Sequence, residues 1–226
     1  MKINKSLTIH LASVIALLFT LSGCYKLQKD YNREPSPIDP HINKTTWQYI
    51  KDRSYGSATD TIFRLMYNAI IYSGIDTNEY VKSNRTFVLM NNTSAKALWT
   101  SVKTSTNASA TKWNDYPQQA VKNYLSYLIL DGVYDHYTIP AVTDLTVNTL
   151  APQGAFTTNP TGFVIPTFVS NPGSNMKIQV INTSPSNTSD YPIQLNDILN
   201  VYTSSILATN GTVHVINGYL TTNIPQ

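Results

Sequence analysis

The chain of 226 residues contains one cysteine, Cys24, and few charged side chains. Asp, Glu, Lys and Arg make up 13% of it, about half the share that is usual in globular proteins. A single cysteine cannot form an internal disulfide, so the folded part must be held together by its hydrophobic core. The net charge of +3 is too small for a strong positive field, and no nucleic-acid partner is expected.

The sequence also lacks the short motifs that mark common enzymes. It contains no G-x-S-x-G elbow, no H-E-x-x-H pair and no phosphate-binding loop. Asp131, Asp135 and His136 lie close together in the stretch DGVYDH, but no second cluster of matching spacing completes a metal site. We therefore expect a protein that is not an enzyme and that uses no metal and no cofactor.

The first 24 residues have the pattern of a secretory signal. Lys2 and Lys5 precede a mostly apolar stretch that ends in Leu-Ser-Gly-Cys. These four residues resemble the lipobox of bacterial lipoproteins. The resemblance implies a signal peptide over residues 1–23, followed by cleavage and the attachment of acyl chains such as palmitate to Cys24. It also implies anchoring by these chains in the outer membrane of a Gram-negative bacterium, facing either the periplasm or the exterior.

The segment that follows the cysteine is predicted to be an extended tether. Residues 24–45 include Pro35, Pro37 and Pro40 and have little apolar content. A folded domain is then expected over residues 46–226, with a polar, non-periodic insertion at about residues 103–115.

The domain is predicted to begin with helices and to end with strands. The stretch TDTIFRLMYNAIIYSGI has apolar residues at helical spacing, with Thr59 or Asp60 as the cap and Gly74 as the stop. RTFVLM is of strand type and precedes a helix capped by asparagine, and a third helix is expected over residues 117–132. Strands are expected near residues 133–139, 142–148, 161–169, 175–182, 197–203 and 212–217. This order indicates an α+β fold with a largely antiparallel sheet.

One histidine, His214, lies within a strand-like run close to the C-terminus. The alternation in TVHVIN places apolar residues on both faces, which predicts a strand that is buried on both sides. A histidine in such a strand is expected to be neutral and hydrogen-bonded within the protein.

The stretch TNGTVHVINGYL, which contains this histidine, strongly resembles the C-terminal box of fasciclin domains. RTFVLMNNTSAKALW and VKNYLSYLILDGVYD resemble earlier segments of the family in the right order, although Leu128 stands where the family has a histidine. The resemblance covers about residues 46–222 and implies N-terminal helices packed on a wedge of largely antiparallel sheet. It implies structural roles for Asn210, Gly211, His214, Ile216, Asn217 and Gly218.

The expected function is binding or adhesion, with a glycan, a matrix protein or a neighbouring surface protein as the ligand. The candidate ligand contacts are Trp113, Tyr134 and His136. Among the three tryptophans of the chain, Trp113 is expected to be the most exposed, because it lies in the polar insertion. Two alternatives stay open. One is a polysaccharide hydrolase or lyase with catalytic carboxylates among Asp131, Asp135 and Asp197, and the other is an accessory binding subunit of an outer-membrane uptake complex.

Overall fold

The computed structural model describes residues 39–140, 143–181 and 192–224. The predicted signal peptide, Cys24 and most of the predicted tether lie outside these residues. Residues 39–45, the end of the predicted tether, are described together with the folded unit. The helices are α1 (Thr46–Tyr55), α2 (Arg64–Ser73), α3 (Asn92–Ser101) and α4 (Gln118–Tyr127), with 3-10 helices at Thr77–Tyr80 and Trp113–Asp115. The strands are β1 (Arg85–Met90), β2 (Ile129–Asp131), β3 (Leu145–Asn148), β4 (Asn175–Val180), β5 (Ile193–Leu195), β6 (Leu199–Asn200), β7 (Thr203–Ala208) and β8 (Gly211–Ile216).

The strands form two sheets, in the orders β2-β1-β8-β7 and β3-β4-β5-β6. All the pairs are antiparallel except β1 with β8, which lie side by side in parallel at the centre of the first sheet. The two strands of this parallel pair are separated by most of the domain, as a parallel connection requires. The predicted α+β class and the largely antiparallel pairing are confirmed.

The four helices form a layer, with α2 in contact with each of the other three. Met66, Ala69 and Ile70 are buried on the apolar face of α2, as the helical spacing predicts. The main chain of Met90 on β1 donates a hydrogen bond to the sulfur of Met66 at 3.2 Å, so this face lies against the first sheet. The buried core includes this helix face, the first sheet, and Met176, Ile178 and Leu195 of the second sheet.

The predicted ends of α2 were half right. Gly74 adopts a left-handed conformation with φ of +62° and ends the helix, as expected for a residue without a side chain. The helix begins at Arg64, however, and Phe63 before it makes no capping bond; the N–H of Leu65 in the first turn donates instead to the side-chain oxygen of Asn92 at 3.0 Å. The carboxylate of Asp60 instead accepts a hydrogen bond from Arg53 Nε at 2.8 Å, so the predicted cap at Thr59 or Asp60 was wrong.

Three predicted elements between residues 117 and 169 were also wrong in extent or type. The third predicted helix ends at Tyr127 rather than near Gly132, and the chain goes directly into β2. The predicted strands at 133–139 and 161–169 are turns and loop. Side chains hold both of these turns by binding nearby main-chain groups, which competes with strand pairing. Asp135 accepts from the N–H groups of Tyr137 and Thr138, and Asn159 bonds to both main-chain groups of Ile165.

The end of the predicted tether pairs with the edge of the first sheet. The N–H group of Leu207 donates to the carbonyl of Pro40 at 2.9 Å, and Ile42 donates back to the carbonyl of Leu207 at 3.0 Å. The chain therefore enters the domain along β7. Within the described residues, none of the helices has the length and apolar character needed to cross a bilayer.

Candidate functional site

His214 is fully buried in β8, the strand between β1 and β7. Its Nδ1 accepts a hydrogen bond from the N–H of Ser205 at 3.1 Å, and its Nε2 donates to the carbonyl of Tyr134 at 2.8 Å. These partners use both ring nitrogens and require the neutral ring with its proton on Nε2. Burial lowers the pKa of His214 to about 4, because a charged ring would lose its hydration. The predicted buried, neutral histidine is what the structure contains.

The neighbours of His214 in the fasciclin-like box make contacts within the domain. The side-chain oxygen of Asn210 accepts from the N–H of Thr46 at 2.9 Å, which ties the last hairpin to the start of α1. Asn217 accepts from Asn91, the cap of α3, at 2.7 Å. A side chain on Gly211 would overlap the carbonyl oxygen of Arg85 on the adjacent strand. Ile216 is buried, and the carbonyl of Gly218 accepts from Ser94 Oγ at 2.6 Å.

His136 and Tyr134 lie on the loop after β2, and a bulge in β7 holds this loop. Nδ1 of the exposed His136 lies 2.8 Å from the hydroxyl of Ser205, and the main-chain N–H of His136 donates to the same hydroxyl at 3.4 Å. Ser205 thus joins both histidines, through its side chain to His136 and through its main chain to His214. The half-buried Tyr134 donates its hydroxyl to the carbonyl of Asp131 at 3.1 Å. This geometry fastens the loop to the sheet, with His136 exposed at the surface.

Trp113 is not a surface residue, and its prediction as an exposed ligand contact was wrong. Its side chain is 3% exposed, and its indole nitrogen donates to the carbonyl of Leu65 at 2.7 Å. The ring also makes an edge-to-face contact with Trp99, with ring centres 5.4 Å apart. A polar surrounding sequence suggested exposure, but an indole can be buried when a carbonyl receives its N–H.

The acids proposed for the hydrolase alternative lie in separate places. Asp131 ends β2 and forms an ion pair with Arg85, whereas Asp135 binds main-chain N–H groups in the next loop. Asp197 lies in the turn between β5 and β6 and pairs with Lys177 at 2.7 Å. Across the described ranges, no group of three or more His, Cys, Asp or Glu side chains is arranged to hold a metal ion.

The surface has an open recess of about 450 Å³, which is within the range of small-molecule sites. One side is the polar face of α4, another is the 3-10 helix at 77–80 with the residues around it, and a third is the loop after β3. The lining residues are Ile75, Asp76, Glu79, Lys82, Arg85, Gln119, Lys122, Asn123, Ser126, Leu150 and Pro152.

The α4 wall carries polar groups that the fold leaves unused. Gln119, Lys122, Asn123 and Ser126 are spaced along one face of the helix, opposite the buried Val121, Tyr124 and Leu125. Ser126 is 9% exposed, and its hydroxyl makes no hydrogen bond with any described residue. No acid in the described part of the chain pairs with the half-buried Lys122.

The opposite wall carries charges that are already partly neutralised. Arg85 is 17% exposed and pairs with Asp131 through Nη1, while its buried Nε has no hydrogen-bond partner among the described residues. Lys82 pairs with Glu79, three residues earlier. Asp76 accepts from the N–H of Asn78 at 2.9 Å and so caps the 3-10 helix. Asp76 directly precedes that helix and Glu79 lies within it, so both line the recess from the same segment.

This recess was not predicted from the sequence. The signal within α4 was present, because a polar stripe at residues 119, 122, 123 and 126 faces away from the predicted apolar stripe. A polar helix face is normally solvated, however, and nothing in the sequence shows that the 3-10 helix and the loop after β3 stand opposite it.

No known protein-family model matches the chain, and no curated protein matches it. Fourteen chains of solved structures do match. One of them is the FAS1 domain pair of the insect cell adhesion molecule fasciclin I, with 16% sequence identity and a TM-score of 0.45. The match covers 70% of this chain and 44% of that one, so this chain spans less than half the length of the domain pair.

Proposed function

We propose that this protein is a non-catalytic binding or adhesion domain of the fasciclin type, held on the cell envelope by a lipid anchor. The observation that carries the binding role is the recess beside α4. It combines an apolar side with a lysine, a hydroxyl and two amides, and the lysine and the hydroxyl have no partner in the described structure. Polar groups that a fold leaves unpaired in a concave site are available to a ligand.

The geometry of the ionisable groups supports a role without catalysis. Glycosidases place two carboxyl groups on opposite sides of the bond that they cleave. Asp76 and Glu79 instead share one wall of the recess, and Glu79 is paired with Lys82. The buried histidine uses both ring nitrogens for internal hydrogen bonds.

The lipid anchor and the fasciclin assignment are supported by the sequence. Leu-Ser-Gly-Cys ends an apolar stretch at the N-terminus, and Cys24 is the only thiol in the chain. Residues 211–216 of the box TNGTVHVINGYL form β8, one of the two central strands of the first sheet. We place the protein at the outer membrane of a Gram-negative bacterium, with a glycan as the preferred ligand and a matrix or surface protein as the other. Replacement of Cys24 by alanine is expected to move the protein from the membrane fraction to the soluble fraction.

Arrays of immobilised glycans and matrix proteins test the binding role. A bulky Asn123→Trp variant should fill the recess and lose retention on the ligand that the unchanged protein binds. Thr100→Trp places the same side chain on an exposed position of α3, away from the recess, and should keep retention. An unchanged protein that binds to no array at high micromolar concentration, or an Asn123→Trp variant that binds equally well, would contradict the proposal.

A further inference from the structure

The geometry points to a carboxylated sugar, such as a uronic acid unit, as the group that enters the recess. This inference rests on the proposed function and adds to it the chemical class of the ligand. Lys122 and Arg85 bind the carboxylate, the polar side chains of α4 bind the sugar hydroxyls, and the apolar side contacts the face of the ring.

Two cationic side chains that line the recess, Lys122 on the α4 wall and Arg85 on the opposite wall, can bind an anion. The Lys122 ammonium has no acidic partner in the described part of the chain. Arg85 uses Nη1 for Asp131, but its Nε is without an acceptor. An unmet donor on a charged group carries a large desolvation cost. The Nε of Arg85 is buried, so a carboxylate oxygen in the recess reaches it only if the side chain turns, whereas Lys122 can form a charge-assisted bond directly. A ligand that brings a carboxylate therefore gains more here than a neutral one.

The neutral polar groups suit hydroxyls. Ser126 lines the recess and offers a hydroxyl that can donate and accept. Asn123 and Gln119 are joined by a hydrogen bond of 2.7 Å between their amides, which leaves each with a free donor or acceptor. Adjacent hydroxyls on a sugar present the same mixture of donors and acceptors.

The remaining side of the recess is apolar. Ile75, Leu150 and Pro152 line it. A sugar ring has C–H groups on its faces, and these can cover such a surface while the ring hydroxyls remain at the polar wall. A small inorganic anion would leave this surface in contact with water.

The acids on the opposite wall do not make the recess a site for an amino acid. Glu79 is neutralised by Lys82, and Asp76 has one oxygen bound to the main chain of Asn78. A ligand ammonium would therefore meet one partly used carboxylate, together with the unpaired lysine, which repels it. Asp76 is better suited to accept a hydrogen bond from a sugar hydroxyl.

Titration of the purified full chain by calorimetry tests this inference. The probes are a trimer of galacturonic acid, the galactose trimer of the same linkage, free galacturonic acid, glutamate and inorganic phosphate. The galacturonate trimer should bind roughly tenfold or more tightly than the galactose trimer, because only it offers charge-assisted hydrogen bonds. Its affinity should fall with added salt.

The matched variants are Lys122→Gln and Lys96→Gln. Both lysines lie on helices and pair with no acid in the described part of the chain, but Lys96 is exposed on α3 and lies outside the recess. Lys122→Gln should weaken binding of the galacturonate trimer by roughly tenfold, and Lys96→Gln should leave it within twofold. Both variants should have the same midpoint of thermal unfolding. The loss of affinity in Lys122→Gln would then come from a lost contact with the ligand and not from a weakened fold.

Free galacturonic acid that competes with the trimer would support a site for a single carboxylated sugar. The inference is overturned if the galactose trimer binds as tightly, if Lys122→Gln binds normally, or if glutamate or phosphate competes as well as the uronate. After such a result, the proposed binding function would still stand if the unchanged protein is retained on a glycan array and Asn123→Trp is not. If the unchanged protein bound to no array, both the proposed function and the carboxylated-sugar inference would be wrong.

Discussion

Strand β8 and the exposed face of α4 are both rich in polar groups, but they use them in opposite ways. In β8 and its flanks, Asn210, His214 and Asn217 are each bonded to another part of the domain. On α4, Lys122 and Ser126 have no partner within the described residues. Both regions place polar side chains on a regular element. The presence of internal partners separates a structural polar residue from one that is available to a ligand.

This difference changes what a substitution should do. In β8, removal of a polar group leaves its partner unsatisfied inside the protein, so the cost appears in the stability of the fold. On α4, removal of Lys122 or Ser126 leaves no described partner unsatisfied, so the cost should appear only in binding. Four predictions test the two halves of this comparison.

The largest effect is expected from Gly211→Ala at the start of β8. Gly211 has φ of +153°, and an added Cβ would overlap the carbonyl oxygen of Arg85 on β1. The strands must move apart at the centre of the sheet, and we expect a loss of about 4 kcal/mol or more in the free energy of unfolding. Chemical denaturation measures it. Gly154→Ala is the control, because Gly154 also has a positive φ. Its added Cβ would make only an ordinary contact with Thr157 at 3.9 Å, so the two variants differ chiefly in the overlap. Equal losses in both variants would contradict the steric explanation.

The next largest effect is expected from His214→Ala. The substitution removes a buried ring and leaves the N–H of Ser205 and the carbonyl of Tyr134 without partners. A cavity and two unsatisfied groups together should lower the free energy of unfolding by about 3–5 kcal/mol. His136→Ala, on the exposed loop, should cost about 1 kcal/mol. If the histidine at 214 could be replaced without loss, its role would not be structural.

Acid should weaken the fold through the same histidine. The unfolded chain takes up a proton near the ordinary pKa of 6.5, whereas the pKa of folded His214 is lowered to about 4 by burial. Between these values only the unfolded state is protonated, so stability is complete above pH 6.5 and declines as the pH falls toward 4. The decline should reach about 3 kcal/mol.

Denaturation at a series of pH values checks this slope. His214→Gln should be less stable at neutral pH but should lose the slope between pH 6.5 and 4. His136→Gln should keep it. If the slope survived in His214→Gln and disappeared in His136→Gln, the pH dependence would come from His136, and the prediction would be wrong.

The comparison also explains which parts of the fold could be predicted from sequence. Burial of β8 and of the inner faces of the helices follows from periodicity, which depends only on neighbours in the chain. The turns at 133–139 and 161–169 are instead fixed by side chains such as Asp135 and Asn159, which bind the main chain and leave no periodic signal. Asn196 makes a similar bond to a residue that is distant in sequence. It is fully buried, and its amide donates to the hydroxyl of Tyr127 at 2.8 Å. The recess was missed for the same reason, since its walls come from distant segments.

The smallest effect on stability, and the sharpest contrast, is expected from a pair of serines. Ser94 on α3 is fully buried and donates its hydroxyl to the carbonyl of Gly218 at 2.6 Å. Ser126 on α4 is also largely buried, but its hydroxyl has no partner in the described structure. Ser94→Ala should therefore lower the free energy of unfolding by about 1 kcal/mol. Ser126→Ala should leave it unchanged or raise it by a few tenths of a kcal/mol, because alanine has the higher helix propensity.

Binding should show the reverse order for the same two variants. Ser126→Ala loses a hydrogen bond to the ligand and should weaken binding of the galacturonate trimer by roughly threefold to tenfold, whereas Ser94→Ala should bind normally once folded. Denaturation and calorimetry on each variant give both numbers. If Ser126→Ala were as destabilised as Ser94→Ala, its hydroxyl would have an internal partner in solution. The face of α4 would then resemble β8, with its polar groups used to hold the fold.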